Sequence, residues 1–277
     1  MAEGRVRATV NYVRGAAGSS LQYVTEDESR STMRTEPTEV WIDDLRGEAT
    51  DLDREGFVLV PHVSAVPDFG SIEEDPEVDA RYGDELAGLL EELTGATRVV
   101  MLSGGKKRFG EGAREELAPL KNAMPARYPH ADNTDRSATG LVRAMATFLD
   151  DVDLAGASRW ALFNLWRAVS PPPQDIPLAV CDARTVAPDD EVVVTAVTVE
   201  RNLPEVRHDT TGYLRNPDHR WCWFRDMTRD EVLVFKAHDT DAARPCRVPH
   251  TAFDDPTCPP GTPTRASVEA RALALFV

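Results

Sequence analysis

The chain reads as a mainly β protein with flanking helices, an α+β arrangement on a β-sandwich or jelly-roll core. Three observations carry this. Short runs rich in Val, Thr and aromatic residues, punctuated by Pro, Gly, Asn and Asp, recur through the second half. Helical periodicity is concentrated in the first half. The 277 residues are 42% hydrophobic and 28% charged, an ordinary globular balance, and no Pro/Ser stretch is long enough to divide them. One domain over 1–277 is therefore expected, with residues 1–125 supplying strands and helices that pack on a β core formed by 126–277.

The elements follow in order. Val6–Val13 reads as a strand, and the polar, Gly-broken stretch up to residue 37 reads as a mobile loop. Val40–Ile42 and Phe57–Val60 are short apolar runs bounded by charge, hence strands. Residues 68–92 hold ten acids and one Arg. Within them Val78, Tyr82, Leu86, Leu89 and Leu93 recur at helical spacing, and Gly95 stands where a helix-ending glycine belongs. The acidic run is thus the wet face of one helix. Arg98–Leu102 is a strand, and 104–121 is Gly/Lys/Arg-rich and then helix-like. Leu141, Met145, Phe148 and Leu149 suggest a short helix. Trp160–Val169 alternates until Pro171–Pro173 stops it. Glu191–Glu200, Trp221–Phe224, Val232–His238 and Arg265–Val277 complete the strands.

Charge narrows the function. There are 47 acids against 31 Lys and Arg, a formal charge of -16, which disfavours nucleic acid because phosphate binding rests on basic side chains. No apolar run approaches the roughly 18 residues of a spanning helix, and no basic cluster followed by an apolar run opens the chain. A soluble cytoplasmic protein without a membrane partner is expected. The four cysteines form no CxxC pair and are read as free thiols. The Ala/Arg/Asp/Val bias is that of a high-GC bacterial gene. No sequence feature specifies an oligomeric state.

With only six histidines, any imidazole metal site draws on a short list. His130-Ala131-Asp132 is the sharpest local feature, since residues i and i+2 at a strand end point to one side. A third ligand must come from far along the chain. His250 suits it best, with His219 and His238 as alternatives that read more simply as structural. Two His and a carboxylate form the facial triad of non-haem iron(II) oxygenases, which leaves positions open for a cosubstrate and oxygen. Taken alone, HxD is a weak signal in a chain so rich in Asp. Arg265 to Arg271 alternates strictly, with Arg265, Ser267, Glu269 and Arg271 on one face. Polar residues facing a β core are costly unless they bind something, and an Arg with a hydroxyl two residues on makes a carboxylate clamp. A solvent-facing edge strand with a Glu269–Arg271 pair is the plain alternative. Lys236, the only Lys in the β half, is a candidate for an anionic ligand.

Several blocks together resemble one family. They include Asp43-Asp44-Leu45-Arg46, Glu55-Gly56-Phe57, Thr94-Gly95-Ala96, His130-Ala131-Asp132, Asn164-Leu165-Trp166-Arg167, Asn216-Pro217 with His219-Arg220-Trp221, Pro249-His250-Thr251-Ala252-Phe253, and Arg265 to Arg271. From about residue 40 onward the chain is similar to the cephamycin 7α-hydroxylase/fungal desaturase-like group of iron(II)/2-oxoglutarate oxygenases, which takes in gibberellin-desaturase-like proteins. The resemblance implies a double-stranded β-helix (jelly-roll, cupin-like) core. It implies Fe(II), 2-oxoglutarate and O2 as metal and cosubstrates, and oxidation of a small molecule coupled to release of succinate and CO2. It implies His130, Asp132 and His250 as ligands and Arg265 with Ser267 as the clamp on the 2-oxoglutarate carboxylate, with Arg271 as rival. Asn133 departs from the pattern, because a Tyr is expected just after HxD, and this marks an altered pocket. Asn164, Arg167 and Trp223 are further candidates to line that pocket, and Arg167 would suit a polar or carboxylate-bearing substrate. Hydroxylation, desaturation or ring formation in secondary metabolism are the expected outcomes. A non-catalytic β-sandwich binding module and a cupin-type metal-dependent hydrolase or isomerase remain the alternatives.

Overall fold

A computed structural model describes residues 4–15, 20–23, 28–110, 124–149, 152–199 and 204–277. The elements are β1 (Arg5–Val13), β2 (Ser20–Tyr23), β3 (Thr35–Asp44), β4 (Phe57–Pro61), α1 (Pro76–Thr94), β5 (Arg98–Phe109), β6 (His130–Ala131), α2 (Asp135–Phe148), β7 (Arg159–Ala168), β8 (Leu178–Cys181), β9 (Glu191–Thr198), β10 (Val206–Tyr213), β11 (Trp221–Trp223), β12 (Glu231–Asp239), β13 (His250–Ala252) and β14 (Ala266–Phe276). They form a nine-stranded sheet in the order β1-β3-β11-β8-β13-β6-β10-β9-β2 and a five-stranded sheet in the order β4-β12-β7-β14-β5. Most neighbours are antiparallel, and β11–β3 and β2–β9 are parallel. The mainly β sandwich with flanking helices is as expected. The helix-like stretch at 111–121 lies outside the described residues.

The acidic run is a helix, with its cap, apolar stripe and terminal glycine all in place. Asp75 caps α1 by accepting from the Glu77 N–H at 2.9 Å, Pro76 opens it, and Gly95 ends it at φ 67° with its N–H donating to Glu91 O at 2.9 Å. Tyr82, Leu86 and Leu90 form its buried stripe. They pack on Phe163 and Leu165 of β7 and on Val268, Ala270, Ala272 and Ala274 of β14. Each buried leucine contributes about 1.5–3 kcal/mol. This layer covers the outer face of the five-stranded sheet, and the small alanines of β14 let the helix approach.

β5 runs further than the sequence suggests, through Gly104 and Gly105 to Phe109. A Cβ on Gly104 would stand 2.3 Å from Asp79 O, and one on Gly105 2.7 Å from Val268 Cγ1. Gly104 is there because α1 crosses the strand closely, and Gly105 because Val268 and Ile72 leave no room for a side chain, not because the strand ends. α2 also starts earlier than its apolar residues imply. Thr134 and Ser137 form a reciprocal capping box ahead of them, and Ala138 and Val142 pack against Leu162, Leu273 and Leu275. The stretch read as a mobile loop contains β2 (Ser20–Tyr23), which pairs with β9.

Between the sheets, Trp166, Val180, Cys222, Leu233, Phe235 and Val248 form one apolar cluster. Beyond Phe235 the inner faces turn polar. β7 and β14 are in register as Ser267↔Ala168, Glu269↔Trp166 and Arg271↔Asn164. Arg265, Ser267, Glu269 and Arg271 therefore share the inner face with Trp166 and Asn164, while Val268 and Ala270 point out to α1.

Candidate active site

His130 opens β6, paired to Gly212 of β10 and to His250 of β13. That pairing sets the two imidazoles side by side, with ring centroids 4.3 Å apart. Asp132 follows β6 on the side His130 faces. One ligand atom from each of His130, Asp132 and His250 lies within 4.8 Å of the others, and His130 Nε2 is 3.9 Å from Asp132 Oδ1. The tautomers follow from the backbone. His130 Nδ1 lies 3.0 Å from Tyr128 O and His250 Nδ1 lies 3.2 Å from Val248 O. A carbonyl oxygen only accepts, so each Nδ1 carries the proton and each Nε2 offers a lone pair.

Electrostatics prepare the same donor set. Burial, with His250 alongside, pushes His130 down to about 4, so its imidazole is neutral at pH 7. Burial alone would raise Asp132. Arg271 foremost, then the two imidazoles and Asn164, hold it well below the usual carboxylate range. Two imidazole nitrogens and one carboxylate oxygen are the donors a borderline divalent metal takes, and they fit iron(II).

The five-stranded sheet faces this triad with polar side chains. Asn164 Nδ2 donates to Asp132 Oδ2 at 2.6 Å, and Arg271 Nη2 donates to Asp132 Oδ1 at 3.0 Å. Arg271 also donates to Glu269 Oε1 at 2.9 Å, and its side chain keeps 43% exposure. Further along the same face, Arg265 is 2% exposed. Its Nη1 donates to Ile176 O at 2.8 Å, its guanidinium lies 5.6 Å from the Trp166 ring, and its Nε is buried without a partner. Burial pushes it down to about 10, although the Asp175 carboxylate offsets part of that. No carboxylate forms an ion pair with it among the described residues. A buried cation with an orphaned N–H is a receptor for an anion, and the remote carboxylate of 2-oxoglutarate fits it. Ser267, also buried, stands two residues on.

The structure does not bring every candidate here. Lys236 is fully buried but committed elsewhere, because its Nζ donates to Asp239 Oδ2 at 2.7 Å and Asp53 Oδ1 at 2.8 Å. It is therefore corrected from a cofactor ligand to the centre of an ion network that also takes in Arg159. Arg167 points to the other face of β7. There it donates to Tyr82 Oη at 2.9 Å and to the His62 carbonyl at 3.0 Å, and it also bonds the Arg229 carbonyl, so it secures α1 and lines no inner cavity. Trp223 faces away from the triad, edge-on to Phe253 in a cluster with Ile42 and Trp221. Asn133 is buried beside Asp132 with Oδ1 unpartnered. His219 lies between Tyr12 Oη at 3.0 Å and Asp190 at 3.1 Å, and His238 stacks on Trp160, so neither replaces His250.

Three neighbours of the site are invisible to sequence reading. His208 Nε2 lies 2.8 Å from Asp132 O, a contact made only because β10 pairs with β6. Tyr128 and Phe235 lie against the two imidazoles, with centroids 5.0 and 4.8 Å away. Glu269 is accessible from the strand alternation, but as a surface pair rather than the half-buried partner of Arg271 beside the triad.

A His/Asp/His donor set between two β-sheets, faced by a buried arginine without an ion pair among the described residues, defines the class of non-haem iron oxygenases that use an oxo-acid cosubstrate. The family described as oxidoreductase/YMDC permease-like domain matches residues 10–275. Among curated relatives, the hydroxylase/desaturase efuI of Hormonema carpetanum is 31% identical over 98% of this chain and 95% of its own length. The gibberellin cluster GA4 desaturase of Gibberella fujikuroi is 29% identical over 70% of this chain and 72% of its own. The solved structure of the iron and alpha-ketoglutarate-dependent endoperoxidase NvfI has a TM-score of 0.84 at 26% identity and covers 99% of each chain. The chain belongs to the Fe(II)/2-oxoglutarate-dependent dioxygenase family, within its hydroxylase/desaturase group. These relatives are fungal, so they lend no support to the bacterial source suggested by composition. No described helix is long and apolar enough to cross a membrane.

Proposed function

We propose that this chain is a single-domain, cytoplasmic oxygenase that oxidises a small molecule of secondary metabolism. In this reading His130, Asp132 and His250 hold iron(II), and Arg265 with Ser267 anchors the remote carboxylate of 2-oxoglutarate. The observation that carries it is the pairing of two Nε2 lone pairs with one carboxylate oxygen opposite a buried arginine that forms no ion pair among the described residues and whose Nε is unpartnered. Iron(II) with 2-oxoglutarate and O2 supplies an oxidant able to take a hydrogen atom from a C–H bond, the cosubstrate leaving as succinate and CO2. The chain's own work is binding, orientation and exclusion of water. Asp132, Glu269, Arg265 and Arg271 carry charges that cancel, so iron(II) and the cosubstrate dianion enter as a neutral pair. Arg271, partly exposed beside the triad, is the polar contact available to a substrate. The relatives' printed activities make hydroxylation, desaturation and endoperoxidation the candidate outcomes.

Anaerobic addition of iron(II) and 2-oxoglutarate should give a weak visible charge-transfer band that His130→Ala abolishes. Absence of the band from fully iron-loaded protein would sink the proposal. Oxygen consumption separates it from a cupin-type hydrolase, which needs no O2.

A further inference from the structure

We propose that Asn164 is a positioning residue that holds Asp132 to the metal through a single oxygen. The inference rests on the reading of His130, Asp132 and His250 as the metal ligands. Asn164 is fully buried, and its Nδ2 donates to Asp132 Oδ2 at 2.6 Å. The other oxygen, Oδ1, lies 3.9 Å from His130 Nε2 and accepts from Arg271 at 3.0 Å. Asn164 and Arg271 are register partners on β7 and β14. Two donors fixed in one sheet thus take one oxygen each and set the rotation of the carboxylate plane. Oδ1 is turned towards the imidazoles and Oδ2 is drawn towards β7.

The rest of the Asn164 side chain explains nothing else. Its Oδ1 is buried with no partner. An asparagine serving only the fold would satisfy both ends of its amide, and here the amide carries an orphaned acceptor in order to place one donor on Asp132. Without that donor the carboxylate is free to turn and bind through both oxygens. It would then fill a coordination position that a chelating cosubstrate or O2 needs.

The test uses cobalt(II) as the probe, with affinity and visible d–d absorption as readouts, because that absorption weakens as coordination number rises. Asn164→Leu keeps the number and branching of the side-chain heavy atoms and deletes the donor. It should bind cobalt(II) about 10- to 100-fold more weakly, as lost outer-shell partners do, and with a weaker d–d band per bound ion. Unchanged affinity and spectrum in a cooperatively melting variant overturn the proposal. Weaker binding with an unaltered band overturns it too, since denticity is then not what Asn164 controls. Asn164→Ala provides the same readout if the leucine variant does not fold, and failure of both to fold assigns the residue to the fold and ends the proposal. His130→Ala run alongside separates the two levels. If it binds cobalt(II) like the parent, the metal site itself is misread, whatever Asn164→Leu does.

Discussion

Replacing Arg265 with Met should move two properties in opposite directions. The side chain is 2% exposed, and burial pushes its guanidinium from 12.5 down to about 10. That corresponds to ~3 kcal/mol against the charged form in the folded, ligand-free protein. Methionine fills similar space without a charge, and it forfeits the Ile176 carbonyl contact and the Trp166 stacking, worth about 1–2 kcal/mol together. A net gain of roughly 1–2 kcal/mol remains, which raises the melting temperature of the ligand-free chain by about 2–4 °C. Binding of 2-oxoglutarate should suffer in the other direction. Removing one partner of a buried charge pair costs about 3–5 kcal/mol, or about two to almost four orders of magnitude in Kd. Calorimetric titration with 2-oxoglutarate and a thermal melt of the same sample read both. A variant that binds within threefold of the parent would refute Arg265 as the anchor. A lower melting temperature would refute the claim that its charge is held at a cost.

Other perturbations separate the site from the fold. The folded chain keeps His130 near 4 while the unfolded chain titrates near 6.5. Below pH 6.5 the unfolded state takes up a proton that the native state refuses, so urea midpoints should fall towards pH 4, with ~3 kcal/mol from this group alone. A flat stability profile over that interval would contradict a buried neutral imidazole. Arg167→Met breaks the buried bonds to Tyr82 Oη and two carbonyls. It should cost about 2–4 kcal/mol in denaturant titrations and leave the Kd for 2-oxoglutarate unchanged, whereas a pocket role would change it. Gly104→Ala drives a methyl into Asp79 O. It should cost about 1–3 kcal/mol, and a neutral result would show that α1 does not press on β5.

Much of the fold was legible because its signals are local. α1 has a capping Asp, a 3.6-residue stripe and a terminal glycine within one window, and Arg265 to Arg271 alternates strictly. What escaped depends on partners distant in sequence. β10 (Val206–Tyr213) is largely polar and is a strand only because β9 and β6 pair with it. Gly104-Gly105 reads as a break until the close crossing of α1 is known. The site divides in the same way. His130-Ala131-Asp132 announces itself through strand geometry, and Arg265 through polar residues facing a β core. Lys236 and Arg167 looked like ligand residues because a basic side chain inside a β layer needs an anion or acceptor. The sequence does not reveal that Asp239 with Asp53, and Tyr82 with two carbonyls, already meet that need. His208, bonded to the backbone of Asp132, has no local signature at all.

In the proposed function one metal ion and one cosubstrate occupy the space between β6, β13 and β14. Crystals grown anaerobically with manganese(II) and 2-oxoglutarate, with anomalous data collected at the manganese edge, test it most directly. The anomalous peak should lie about 2.0–2.3 Å from Nε2 of His130 and His250 and from Asp132 Oδ1, with the remote carboxylate of 2-oxoglutarate on the Arg265 guanidinium. A peak instead at Asp135, His238 and Cys246, the other cluster of metal-ligating side chains among the described residues, or a cosubstrate carboxylate seated on Lys236, would contradict it.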